Sequence, residues 1–226
     1  MKRFSSVAAF LAAGLAVSGV AMAAMNLNPE KDAKQAAKQA DKKVASKAVV
    51  GETAPNFTLK DLDGKDVNLA EIGKDKVVVL EWFNPECPFV VKHHKKNPTF
   101  ANLYKEFSPK GVVFLAINSG AAGKEGAGLD KSKEGKKEFG IQYPVLLDEA
   151  GDVGRTYGAK TTPHMFVIAK DGTIAYAGAI DNNTDAGKAG DINYVKNALD
   201  EVLAGKAVTT KETKPYGCSV KYGKAS

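Results

Sequence analysis

Residues 77–94 read VVVLEWFNPECPFVVKHH. An apolar run from Val77 to Phe83 stops at Asn84-Pro85, a cysteine follows at position 87, and Pro88 opens a second apolar segment. A near-continuous apolar run is what a strand buried on both faces requires. Proline suits the first position of a helix, where its missing N–H would bond nothing within the helix. The stretch therefore predicts strand, tight loop, cysteine, helix. That order sets the Cys87 sulfur at a helix mouth, where free backbone N–H groups and the helix dipole favour an anion. Lys92, His93, His94, Lys95 and Lys96 add positive potential one or two turns on, and Glu86 opposes it. The expectation is an accessible thiol with a pKa below the ordinary value of about 8.5.

Outward from this stretch, strands and helices alternate. FTLKDLDGKDVNLAEI is two alternating runs around Asp63-Gly64, the pattern of a hairpin. GVVFLAIN is a second buried strand, and between the two apolar strands Phe100, Leu103 and Phe107 recur at helical spacing. Pro98 should kink that helix or restart it with Asn97 as its cap. A Gly-rich insertion then leads into a helix ending near Phe139, YPVLLD reads as a strand and GDVGRTYGA as a short helix. HMFVIAKDGTIAYAGAI reads as a hairpin on Asp171-Gly172, and a last helix runs from about Asn193 to Leu203. This succession predicts one α/β domain with a central mixed β-sheet flanked by helices and an N-terminal β-hairpin.

Residues 1–23 have the form of a secretory signal: Lys2 and Arg3, an apolar stretch from Val7 to Val20, then Ala21-Met22-Ala23 as a cleavage site. The apolar run is too short to predict a membrane span, so a periplasmic or secreted protein is expected. Residues 24–49 form a Lys/Ala-rich spacer with little to bury, 50–208 the folded domain and 209–226 a C-terminal tail. Taking Lys2 and Arg3 from the 32 basic residues leaves 30 against 26 acidic ones, a formal net charge of +4. The lysines are scattered and Arg155 is the remaining arginine, which argues against a nucleic-acid partner. The two cysteines, Cys87 and Cys218, suit an exchangeable or permanent disulfide in an oxidising compartment.

Thr161-Thr162-Pro163 stands directly before the apolar strand 165–168, a position at which a cis proline would form a tight turn. DNNTDAGKAGDI imitates a calcium loop at Asp181, Asn183 and Asp185, but Ala186 and Ile192 occupy the positions that need Gly and Glu, so it reads as a polar loop.

In order along residues 50–205, APNFTLKDLDGKDVNL, VVVLEWFNPECPF, YPVLLD and YGAKTTPHMFVIAKDGTIAYAGAIDN resemble the thioredoxin-like redoxins, the alkyl hydroperoxide reductase and thiol-specific antioxidant group. The tail KPYGCSVKY is similar to a Gly-Cys-x-aliphatic-Lys-aromatic ending in one redoxin subgroup. The resemblance implies a thioredoxin-like fold, Cys87 as nucleophile, and Pro163 as a cis proline facing it. Pro88 and Trp82 would help to shape the site, and the Thr162 backbone would pair with an extended substrate peptide. The departures from the family are specific. Val90 replaces the second cysteine of Cys-x-x-Cys, Asn84 and Leu80 stand where peroxiredoxins carry Thr or Ser and Pro, and Pro163 falls where their peroxide-polarising Arg would lie. Peroxide cleavage needs charge stabilisation of the leaving oxygen.

The expected activity is therefore thiol–disulfide exchange on a protein disulfide or a small thiol, without a cofactor, with Cys87 as nucleophile and Cys218 as resolving thiol. Pro215 and Gly217 would let the tail turn back to the helix mouth. Without such a return, an external thiol donor would complete the cycle. Two alternatives stay open: a peroxiredoxin-like thiol peroxidase, and a copper- or zinc-binding carrier using Cys87, His93, His164 and Cys218. In the first reading His93 and His164 only tune the thiolate.

Overall fold

The computed structural model describes residues 47–224. The signal peptide and nearly all of the spacer expected from the sequence lie outside the described residues. Packing starts slightly before the expected boundary: Ala48 and Val50 lie against the core, and the Ala48 N–H donates to the Thr156 carbonyl at 3.0 Å.

The apolar runs form the middle of a seven-stranded mixed sheet ordered β2-β1-β5-β4-β3-β7-β8. Its strands are β1 (Thr58–Asp61), β2 (Asp66–Asn68), β3 (Val78–Trp82), β4 (Val113–Asn118), β5 (Val145–Leu147), β7 (Met165–Ile168) and β8 (Ile174–Gly178). β4 runs parallel to β3 and β5, whereas β7 is antiparallel to β3 and β8. Every residue of β3 is buried, which is why the sequence there lacks polar alternation. The β1–β2 hairpin turns where Asp63-Gly64 predicts it. The Asp61 carboxylate accepts from the Asp63 and Lys65 N–H groups, and Gly64 takes a φ of 82° that a side chain would resist.

The strands divide the core into two layers by their period of two. Val77, Val79 and Phe83 face a cluster with Cys87, Val90, Phe100, Leu103 and Phe107. Val78, Leu80 and Trp82 face the other cluster, with Tyr157 and Phe166. On the first face lie α2 (Pro88–Val91), α3 (Thr99–Phe107) and α6 (Tyr194–Leu203). The helices α1 (Leu69–Ile72), α4 (Gly128–Glu138) and α5 (Asp152–Thr156) complete the list. Phe100, Leu103 and Phe107 give α3 its buried stripe, each contributing about 2–3 kcal/mol by leaving water. Asn193 caps α6 by accepting from the Lys196 N–H.

One local expectation is corrected. Asn97 is extended and does not cap α3, whose first flanking residue is Pro98. The Asn97 side-chain amide donates backwards instead, to the Lys92 carbonyl at 3.0 Å. The Asn97 backbone N–H donates to the same carbonyl at 2.8 Å, closing a π-helical turn over Lys92–Lys96 that continues α2. The Gly-rich insertion is also less loose than its composition suggests. Asn84 donates to the Glu125 carbonyl at 2.9 Å, and a side chain at Gly126 would collide with Asn84.

The tail is not a separate unit. Residues 211–213 follow the outer edge of β8, with Ala177 N–H donating to the Lys211 carbonyl at 3.0 Å and Thr213 N–H to the Ala177 carbonyl at 3.1 Å. Beyond Gly217 the chain forms β9 (Cys218–Ser219), antiparallel to β6 (Thr161–Thr162).

Candidate active site

Cys87 caps α2, with Pro88 in the first helical turn as the sequence predicts. Its backbone carbonyl accepts from the N–H groups of Val90 at 3.0 Å and Val91 at 2.9 Å. Its Sγ–H donates to the Thr162 carbonyl at 3.0 Å. The Thr162–Pro163 peptide bond is cis, and Thr162 pairs with Cys218 in the β6–β9 ladder. One residue, Thr162, thus contacts both cysteines through its backbone. Both thiols are free, and Cys218 packs against the buried cluster that contains Cys87.

Cys87 is only 2% exposed, within a cluster against which Cys218 packs, so the expectation of an accessible thiol is corrected. Burial first, and then the neighbouring Cys87, push the Cys218 thiol up to about 12, so that it keeps its proton while docked. Gly217 makes the close approach feasible. Its φ is 136°, and a Cβ there would collide with the Thr162 carbonyl.

Two tyrosines pin the tail on either side of Cys218. The Tyr222 hydroxyl donates to the Ala159 carbonyl at 2.9 Å, and its ring lies 4.9 Å from the Arg155 guanidinium. Tyr216 inserts its hydroxyl among Lys92, His93 and Asp181. Lys92 Nζ approaches it to 2.9 Å and His93 Nε2 to 3.0 Å, while the hydroxyl donates to the Asp181 carboxylate. Lys92 also reaches the Asn183 carbonyl at 2.5 Å and Asp181 at 3.4 Å. Burial lowers the pKa of Lys92 against the opposing pull of Asp181, and it holds His93 at about 4. A neutral His93 can donate from Nε2 to Tyr216 while Nδ1 accepts from Thr99 Oγ1 at 3.2 Å.

The remaining site residues expected from the sequence lie elsewhere. Trp82 is on the opposite sheet face, its Nε1–H donating to Ser119 Oγ at 3.0 Å and its ring packed on Tyr157 and Phe166, so it does not shape the thiol. His164 also turns away from Cys87, toward Phe166 at 4.8 Å, because alternation along the strand sends successive side chains to opposite faces. Its Nδ1 accepts from the Lys160 N–H at 3.4 Å, and burial holds its pKa at about 4. His93 is buried in the Tyr216 socket rather than half-exposed beside the thiolate. Cys87, His93, His164 and Cys218 do not converge, and among the described residues no three His, Cys, Asp or Glu side chains are placed to hold one metal ion.

Sequence reasoning missed a buried network beside this site. Glu81 of β3 accepts from His94 Nε2 at 2.8 Å and from the Tyr143 hydroxyl at 3.1 Å. The His94 ring is stacked between Phe100 at 4.3 Å and Phe139 at 5.4 Å. The visible signal was Glu81 itself, a carboxylate inside an otherwise apolar run.

A central mixed sheet, a cysteine at a helix mouth and a cis proline opposite it define a thioredoxin-like protein. The redoxin family profile matches residues 49–199, and the chain belongs to that family. It is 30% identical over 132 residues to the thiol-disulfide oxidoreductase ResA of Bacillus thuringiensis subsp. konkukian, covering 57% of this chain and 68% of that one. The ResA protein of Bacillus subtilis is 32% identical over 124 residues, 55% of this chain and 64% of its own. Among solved structures, a hypothetical protein of Sinorhizobium meliloti superposes with a TM-score of 0.71 at 28% identity, over 80% of this chain and 98% of that one. An uncharacterized conserved protein of Geobacillus kaustophilus gives 0.70 at 30% identity, over 79% and 94%.

Proposed function

We propose that this chain is an exported thiol–disulfide oxidoreductase in which Cys87 is the nucleophile and Cys218 the resolving thiol. The Cys87 thiolate attacks one sulfur of a substrate disulfide, forming a mixed disulfide and releasing the other substrate sulfur as a thiolate that takes up a proton. Cys218 then loses its proton and attacks Cys87 Sγ. The Cys87–Cys218 bond forms, the second substrate thiolate leaves, and the substrate has gained the two electrons that the enzyme dithiol lost. An external dithiol reverses the oxidation and completes the cycle. The observation that carries this reading is Thr162, which accepts from Cys87 and pairs with Cys218 of the C-terminal tail. The similarity to the ResA oxidoreductases supports the reaction class. Protein disulfides or small thiols are the substrate class, and the signal-like residues 1–23 favour a periplasmic or secreted location, where a disulfide can form.

The test is a redox titration of the full-length protein in glutathione buffers, with mass spectrometry to locate the bond. The expected result is one reversible transition that forms a Cys87–Cys218 disulfide, at a potential above the roughly −300 mV typical of permanent braces. In Cys218→Ser, mixed disulfides on Cys87 should accumulate. Absence of a Cys87–Cys218 bond at every potential would remove Cys218 from the mechanism.

A further inference from the structure

Resting on the thiol–disulfide reading, we infer that the buried socket around Lys92, His93 and Asp181 is a recognition pocket for tyrosine. The partner it selects is an extended cysteine-bearing segment with a tyrosine two residues before the cysteine. The chain's own tail is the first such segment, with Tyr216 two positions before Cys218.

The socket is specific for a hydroxyl. Lys92 is 0% exposed, His93 0% and Asp181 2%, and all three converge on the one oxygen of Tyr216. Burying an ammonium and a carboxylate is expensive, and an apolar anchor would hold a tail at less cost. What the charged groups add is discrimination, since a site built to hydrogen-bond a hydroxyl is left with unpaired buried groups when the hydroxyl is missing. The socket floor is also prepared without the tail. Asp181 is held by the Gly190 and Asn183 N–H groups at 2.5 and 3.1 Å, and His93 by Thr99. Phe89 supplies the aromatic wall, its ring edge-on to Tyr216 at 5.8 Å.

The register then links socket and sulfur. With Cys218 opposite Thr162, Gly217 crosses the Thr162 carbonyl where a side chain cannot pass, and Tyr216 drops into the socket. β6 offers one pairing edge here, so tail and external segment occupy it in turn. An incoming Tyr-Gly-Cys segment displaces the tail to reach Cys87, and the returning tail displaces the segment to resolve the mixed disulfide.

The test separates binding from redox chemistry by using a probe without a thiol. A fluorescein-labelled peptide of residues 214–222 carrying Cys218→Ser is titrated into full-length wild type and full-length Gly217→Val, whose own tail can no longer cross Thr162. Anisotropy should show at least tenfold tighter binding to Gly217→Val than to wild type. Adding Tyr216→Phe to the peptide should weaken binding at least tenfold. Circular dichroism checks that the variant folds, and full-length Tyr216→Ala serves as a second tail-released protein. Equal affinity for the Tyr and Phe peptides, equal binding by wild type and the released variants, or no binding by either released variant would overturn the inference. None of these outcomes bears on the Cys87–Cys218 bond, which the glutathione titration reports separately.

Discussion

His164 shows how burial at one residue becomes a property of the whole fold. Its ordinary pKa is 6.5, and burial first, with Lys160 adding to it, holds it at about 4 in the native state. Below pH 6.5 the unfolded chain takes up a proton that the native chain refuses until about pH 4. Stability is therefore full above pH 6.5 and falls as the pH drops through that window. The loss is of order 3 kcal/mol for a single histidine shifted this far, and His93 acts in the same direction. Urea denaturation at pH 7 and pH 4.5 checks this. His164→Asn should lose about 2–3 kcal/mol less than wild type between the two conditions. An identical loss in both proteins would show that His164 is protonated in the native state at pH 4.5.

At the scale of elements, the Glu81–His94–Tyr143 network ties the central strand to the π-helical turn and to the segment before β5. Removing His94 leaves Glu81 Oε1 without its buried partner, so His94→Leu should cost about 1–3 kcal/mol. Replacing both, as Glu81→Leu with His94→Leu, should recover part of that loss. A double-mutant cycle in urea measures the coupling, and simple additivity would mean that the pair contributes nothing as a pair. The elements themselves were legible in the sequence. Val77–Phe83 and residues 111–118 had the continuous apolar character of buried strands, and Phe100, Leu103 and Phe107 marked the packed face of α3. The candidate site was legible only at its centre, where Cys87, Pro88, Thr162 and Pro163 carry local signals. Lys92 read as part of a run of positive charge near the thiol and Asp181 as part of a polar loop, because nothing within a few residues of either shows that Tyr216 will meet them. Trp82 and His164 misled for a different reason. They are neighbours of site residues in sequence, and a strand sends neighbours to opposite faces.

Across the whole molecule, the tail pairs with the Thr162 segment that holds Cys87. In the docked state the polar group against the sulfur is the Thr162 carbonyl, an acceptor, and Asn84 is engaged with the Glu125 carbonyl and the Glu86 N–H. A peroxide oxygen leaving as an anion needs donors instead. Stopped-flow oxidation of the reduced protein by hydrogen peroxide should proceed no faster than that of a free thiolate at the same pH. A rate orders of magnitude higher would assign the fold to peroxide reduction. The π-helical turn over Lys92–Lys96 carries a further consequence. An α-helix turns about 100° per residue, whereas a π-helical turn holds one residue more than an α-helical turn. This widened turn is what faces Lys92, His93 and His94 inward in succession. The arrangement therefore depends on how many residues the turn contains as well as on which ones. A descendant gene that lost a single codon between Val91 and Asn97 could keep the lysine, both histidines and the reactive cysteine unchanged. It would still rotate the side chains beyond the deletion by about a quarter turn, so that frame-preserving event would take Asn97 from the Lys92 carbonyl and Thr99 from His93 while leaving the redox centre in place.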